Sequence, residues 1–495
     1  MTSTTDKQSS TSIPPVFHNN DKGTFGYYTA TERWPIIISN CINDLDNHLN
    51  QLSANLLKEG VADYELIESS GKVIKNKILA LRKDIVKGDV LLEKFPEKLI
   101  AKRPIYKDFN LYLENPDDGQ PPNSLTWANS GWLFSEVYLY NRIHQYFLES
   151  GSAYWIKQFD IFNAVKQSTF KSSIYGVLEL AIKYKNLHPK FINELTYNAE
   201  GTNLDTLQIL FNEFVEISLW GNATDLSLLT NATLEDIKSI QGAEARKKSE
   251  SKILINDTKR AWEHLLSSNK NEKSGKRVDI ICDNSGFELY ADLLLALFLL
   301  DTRIVDKVVF HSKDIPYMVS DVMNKDLTIL LNDLMDPSFF PRNDNTNDDP
   351  FTFLADHVIE YLNSEKIIIK DDPFWTNYFD YWSIDSNSEG SAIYNEFIES
   401  KTSLIIFKGD LNYRKLTGDR RWDRTTPFKA AIGPLSHNGL PILSLRTCKA
   451  DVVVGLSDGV DEKLCKEWEA LGHEYGSWWC SSGKWAVICF SEGTS

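Results

Sequence analysis

The stretch VDIICDNSGFELYAD at residues 278–292 decides the fold class. A short apolar run ends in Asp283 and Asn284, Ser285-Gly286 permits a sharp turn, and an apolar helix, FELYADLLLALFLL, follows. SLIIFKGDLNYRKLTGDRRW at 403–422 repeats the order: apolar strand, glycine turn, then a polar segment. Strands covered by helices on both faces are apolar throughout, and VDIIC, VDKVVFH, KIIIK, SLIIF, ILSLR, VVVGL and WAVICF are of that kind. They predict a doubly wound α/β domain over 271–495. In such sheets ligands bind at the carboxyl ends of the strands, so Asp283, Asn284, Asp410, Asn412 and Lys415 are expected to face one crevice.

Working outward, residues 23–270 read as a helical domain. WPIIISNCINDLDNHL, WLFSEVYLYNRIHQYF, IYGVLELAIKYKNL and LQILFNEFVEISLW each carry a broad apolar face at helical spacing. Residues 1–22, rich in Ser and Thr, are expected to be a disordered tail, and PRNDNTNDDP at 341–350 a polar loop. With 495 residues, 42% of them hydrophobic, the chain has ample material for two cores. Its net charge of −16 argues against a broad nucleic-acid surface, which needs clustered Lys and Arg. Six cysteines without CxxC spacing fit a reducing compartment. No apolar leader or membrane-length run is present, so a monomer in the cytoplasm, with the nucleus as a second location, and without a membrane partner is the expectation.

The candidate chemistry lies at the strand ends. Asp283 and Asn284 are oxygen donors, and HSKDIPYMVSDVM returns Asp321 toward them after Lys313 and Asp314. Three such donors form a partial shell for a divalent cation, although Asp-Asn-Ser-Gly is equally a good helix cap. Glu288 and Asp292 are candidates for supporting that shell or for simple helix polarity. Lys408, Arg414, Lys415, Arg420 and Arg421 around Gly409 and Gly418 suggest an anion cradle. Within it Asp410 suits a proton carrier and Asn412 and Tyr413 suit hydroxyl contacts. In RTCKAD at 446–451, Lys449 suits a phosphoryl group, and Arg446 either joins it or pins the loop by pairing with an acid. Cys282 and Cys448 read as buried structural thiols rather than nucleophiles. Arg33 is a candidate substrate contact, and Asp225 reads as structural.

DNSGFELYADL, KDIPYMVSDVM, FKGDLNYRKLTGDR and RTCK, with ERWPIII, WLFSEVYLY and SLWGNATDLSLLT upstream, resemble the damage-control metal phosphatases. The subfamily contains sugar-phosphate phosphatases and proteins called acidic residue methyltransferases, with an Arg-Thr-x-Lys signature. The resemblance implies a helical domain on a three-layer α/β/α, Rossmann-like domain. It implies one divalent ion at Asp283, Asn284 and Asp321, with manganese, cobalt or nickel preferred and magnesium possible. Substrate contacts are implied at Asp410, Leu411, Asn412, Tyr413, Arg414 and Lys449, and small phosphorylated sugars such as fructose 1-phosphate and fructose 6-phosphate as substrates. The alternatives are an S-adenosylmethionine-dependent protein carboxyl methyltransferase and a non-catalytic sugar-phosphate sensor. The single glycine of Asp283-Asn284-Ser285-Gly286 speaks against the former, since dinucleotide-type cofactor turns are glycine-rich.

Overall fold

Apolar side chains alternate across a seven-stranded sheet and build two of the three cores. The structure, a computed structural model, describes residues 13–59, 63–197, 203–221, 251–267, 275–342 and 349–494. The strands are β1 (Ile253–Asn256), β2 (Arg277–Ile281), β3 (Lys307–Ser312), β4 (Ile367–Asp371), β5 (Thr402–Lys408), β6 (Ile442–Thr447) and β7 (Ala486–Ser491). Their order is β1-β7-β6-β5-β2-β3-β4. The five from β6 to β4 run parallel, while β7 is antiparallel to β6 and parallel to β1. Val278, Ile280, Leu404 and Ile406 face one core; Ile281, Ile405 and Phe407 face the other, as the two-residue period of a strand requires. The order reverses between β2 and β5, which makes their carboxyl ends the topological switch point.

One expected strand is not one. VVVGL at 452–456 is largely buried but joins no strand of the sheet: the Val452 carbonyl accepts from Arg446, Val454 N donates to the Tyr413 hydroxyl at 3.0 Å, and Gly455 N and Leu456 N donate to Thr426 O and Arg424 O, each at 2.8 Å. The seventh strand is the short ILIN at 253–256.

The helices that position the site are α1 (Trp34–Glu59), α2 (Tyr64–Lys87), α3 (Trp132–Glu149), α4 (Ile174–Asn193), α5 (Leu204–Trp220), α6 (Phe287–Asp301), α7 (Pro350–Asn363) and α8 (Gly409–Leu416). Every residue of α6 is buried, because the helix is apolar nearly all round and shares one core with the sheet, α4 and α5. The expected division at 270 therefore does not coincide with the packing: α4, α5 and Ile253 of β1 all belong to the sheet's core. The third core, of α1, α2, α3 and neighbouring segments up to Phe162, takes in Ile315, Tyr317, Leu411 and Ala450 from the segments that follow β3, β5 and β6.

Of the expected tail, residues 13–22 are described, and they are ordered against the body of the protein. Residues 13–22 are held by backbone contacts rather than by apolar periodicity. Val16 bridges to Arg420, Trp132 N donates to Phe17 O at 2.7 Å, and the Asn19 amide donates to Trp127 O at 2.8 Å. Among the described residues no helix is long and apolar enough to cross a membrane.

Candidate active site

Two loops are sewn together at the end of β2. Val322 N donates to Asp283 O at 2.8 Å, Ser285 N to Ser320 O at 2.7 Å, and Asn284 pairs with Asp321 in an isolated antiparallel bridge. This brings Asp283, Asn284 and Asp321 to one place. The approach is strained, since Met318 and the β-branched Val319 have φ of 43° and 71°. Glu288, one turn into α6, joins the group: the Asn284 amide nitrogen donates to Asp283 Oδ2 and to Glu288 Oε2, each at 2.8 Å. Asn284 Oδ1 accepts from the Ser320 hydroxyl at 2.5 Å.

Three acids in so dry a place repel one another. Burial, with Glu288 and Asp321 adding to it, holds the Asp283 carboxyl well above the usual carboxylate range. Burial pushes Asp321 up to about 6 against the pull of Lys313. Asp321 Oδ2 is buried and accepts no hydrogen bond, and Lys313 Nζ stands 3.5 Å from it while donating to Cys282 O at 2.9 Å. A buried carboxylate oxygen with no hydrogen bond, beside two further carboxylates and an amide, is a donor set that suits a divalent cation.

The expected cradle is built differently, because its cations already have protein partners. Lys408 is buried against Asp292 at 2.6 Å and Glu288 at 3.2 Å, behind the acidic group. Arg414 lies between Glu136 at 2.5 Å and Asp419 at 3.0 Å, over the Trp132 ring. Lys415 donates to Asn377 O at 2.8 Å, and burial, with Lys313 nearby, draws its ammonium down to about 7. Arg420 donates to Pro14 O at 3.0 Å and Arg421 pairs with Asp21, so both hold the amino-terminal segment. Asn412 also faces inward: its amide donates to Lys408 O at 2.7 Å and its Oδ1 accepts from the Tyr381 hydroxyl at 2.5 Å. Tyr413 is buried beneath the Arg446 guanidinium, and Leu411 belongs to the helical core.

Asp410 accepts from Arg446 Nε at 2.8 Å, Arg446 Nη2 at 2.7 Å and Lys449 N at 2.9 Å. Arg446 therefore pins the loop by pairing with an acid. Lys449 is half-buried and electrostatically coupled to Asp283, and among the described residues its ammonium has no hydrogen bond or ion pair. It is the one cation of these two loops so placed among the described residues. Arg33 is exposed, its guanidinium over the Phe25 ring at 5.2 Å; Asp225 lies outside the described residues. Burial raises the thiols of Cys282 and Cys448, the latter to about 11, the opposite of what a thiolate nucleophile needs.

Sequence reading missed Glu136, Trp132, Asp419 and Tyr381 as parts of this construction. The available signal was an acid, Glu136, within an otherwise apolar helical segment, WLFSEVYLY. The arrangement as a whole sets an acidic group fit for a cation beside one unpaired ammonium and the amino end of α8. Backbone N–H groups there lack intrahelical partners and carry partial positive charge. A phosphate group meets complementary charge on each of these sides.

A family model for the damage-control phosphatase ARMT1-like domain matches residues 29–464. The protein named damage-control phosphatase ARMT1 in Bos taurus is 33% identical over 96% of this chain and 98% of its own length. That in Homo sapiens is 31% identical over the same shares, 96% and 98%. A solved DUF89 family protein from Pyrococcus horikoshii covers 91% of this chain and 97% of its own at 15% identity, with a TM-score of 0.31.

Proposed function

The chain belongs to the damage-control phosphatase ARMT1-like family, and from that premise we propose that it is a divalent-metal-dependent phosphomonoesterase of small sugar phosphates. Fructose 1-phosphate and fructose 6-phosphate are the first candidate substrates, manganese, cobalt or nickel the first candidate metals, and magnesium a further one. The proposed setting is cytoplasmic or nuclear. The observation that carries the reading is the buried acid Asp321, whose Oδ2 accepts no hydrogen bond and has Lys313 Nζ only at 3.5 Å, joined through backbone to the Asp283–Asn284 turn at the sheet's switch point.

Asp283, Asn284 and Asp321 would hold the ion; ligation by Asn284 requires its Oδ1, now bonded to Ser320, to turn toward the acids. When bound, the ion supplies Lewis-acid polarisation of a phosphoryl oxygen and a lower pKa for attacking water. Glu288 orients the Asn284 amide, and Lys408 with Asp292 balances Glu288 from behind. Lys449 offers its ammonium to the charge that develops on the phosphoryl oxygens. The α8 segment would meet substrate mainly through backbone N–H groups at its amino end, since Leu411, Asn412, Tyr413 and Arg414 are turned inward. Asp410, bonded three times to Arg446 and Lys449, sets the position of Lys449 rather than carrying a proton.

The test is phosphate release from a phosphosugar panel, using metal-stripped protein and restoring each metal in turn. Restored release is expected with wild type and absent from Asp283→Ala and Asp321→Ala. No release with any metal, or methyl transfer that survives chelation, overturns the reading.

A further inference from the structure

A second cluster of metal-type donors lies at the other end of α6. Asp301 is the last residue of that helix, roughly 20 Å along its axis from the Asp283 turn at about 1.5 Å per residue. His188 reaches it from α4 and His357 from α7. One ligand atom from each of the three lies within 4.8 Å of the others. His357 Nε2 stands 2.9 and 3.1 Å from the two Asp301 carboxylate oxygens, and His188 Nε2 stands 3.7 Å from Oδ2. The Tyr184 hydroxyl donates to Oδ2 and the Tyr361 hydroxyl to Oδ1, each at 2.5 Å.

A polar network that ties three helices together accounts for His357 and both tyrosines. It leaves His188 without a reason, since its Nε2 is buried, directed at the carboxylate, too far to bond it, and without any hydrogen-bond partner. We propose that His188, Asp301 and His357 form a binding site for a divalent transition-metal ion of the zinc type, separate from the acidic crevice, the His357 ring releasing to solvent the proton that Nε2 shares with Asp301 as the ion binds. Two imidazole nitrogens and one carboxylate oxygen suit zinc or cobalt, whereas magnesium prefers oxygen donors and bound water. The two tyrosines hold the carboxylate in orientation, a role outer hydrogen bonds commonly serve at such sites. Side-chain exposures of 17% for His188 and 10% for His357 leave a way in from solvent. An ion here would fasten α4 and α7 to the end of the central helix.

Metal-stripped full-length protein titrated with cobalt(II) tests this. Wild type is expected to take up an ion with the strong visible absorption of four-coordinate cobalt. Asp283→Asn should retain that band, and His188→Ala should lose it, with affinity for that ion at least 100-fold weaker. Removing His188 breaks no hydrogen bond of Nε2, and circular dichroism checks that this variant folds. Should it not fold, zinc-edge X-ray absorption on Asp283→Asn loaded with one equivalent of zinc decides: two imidazoles in the first shell support the site. An unchanged cobalt band in folded His188→Ala, or a zinc shell without imidazole, overturns it.

Discussion

Gly409 has no room for a side chain. Its φ is +80°, and a Cβ built on it would stand 1.9 Å from Asp283 Oδ2. The proposed ligand thus lies against bare backbone of the neighbouring loop, and Gly409→Ala has to displace the carboxylate or twist α8. Bound-metal analysis and phosphate-release assays should find weaker metal retention and turnover reduced roughly 100-fold or more, the scale on which small misplacements act, with circular dichroism unchanged. Lys415 yields a prediction in pH. Burial, then Lys313, draw its ammonium from 10.5 down to about 7. Between those values the unfolded chain holds the extra proton, so this residue makes stability rise with pH from about 7 toward 10. Urea unfolding across that range should show the rise in wild type and a flatter profile in Lys415→Met, a difference on the order of 1–3 kcal/mol. What was legible at this scale was local. Asp283 and Asn284 stand out because a strand and a turn frame them. Arg414 appears as a phosphate ligand until Glu136, 278 residues away, is seen to take its guanidinium.

The loop after β6 is positioned by one internal clamp. Arg446 is fully buried, bonds Asp410 with two nitrogens and holds the carbonyls of Ala450 and Val452, so the backbone that carries Lys449 is fixed from beneath. Arg446→Lys keeps the charge but loses the fork. Steady-state kinetics should find kcat/KM lowered roughly tenfold or more, much as in Lys449→Ala, while metal content stays at the wild-type level. The same clamp explains a misread element. VVVGL has the composition of a core strand, yet Arg446, Tyr413 and the carbonyls of Arg424 and Thr426 engage its backbone in place of a neighbouring strand. ILIN, four residues long, ending in polar Asn256 and followed by Asp257, is too short to stand out, and its sheet partner is β7. Central strands were legible because β-branched runs between helices have few other uses; edge strands depend on neighbours that a linear pattern does not contain.

Across the whole molecule, the helical lobe is joined to the crevice by charge as well as by packing. Arg103 pairs with Asp314, and Glu136 with Arg414. Glu136→Ala leaves the Arg414 guanidinium buried with one acid in place of two, and chemical denaturation should register a loss of about 3–5 kcal/mol, typical of breaking a buried pair. The amino-terminal strap adds less. Deleting residues 1–22 removes the Asn19 and Asp21 contacts, and calorimetry should find Tm lowered by a few degrees. The place of β7 bears on how the protein is made. It lies inside the sheet, between β1 and β6, yet about 230 residues of chain separate it from β1. At ordinary translation speed that gap is roughly 10–50 s. For that whole interval β1 lacks the strand it pairs with, and β6 waits for about 40 residues more, so the sheet closes only after Ser491 has been made.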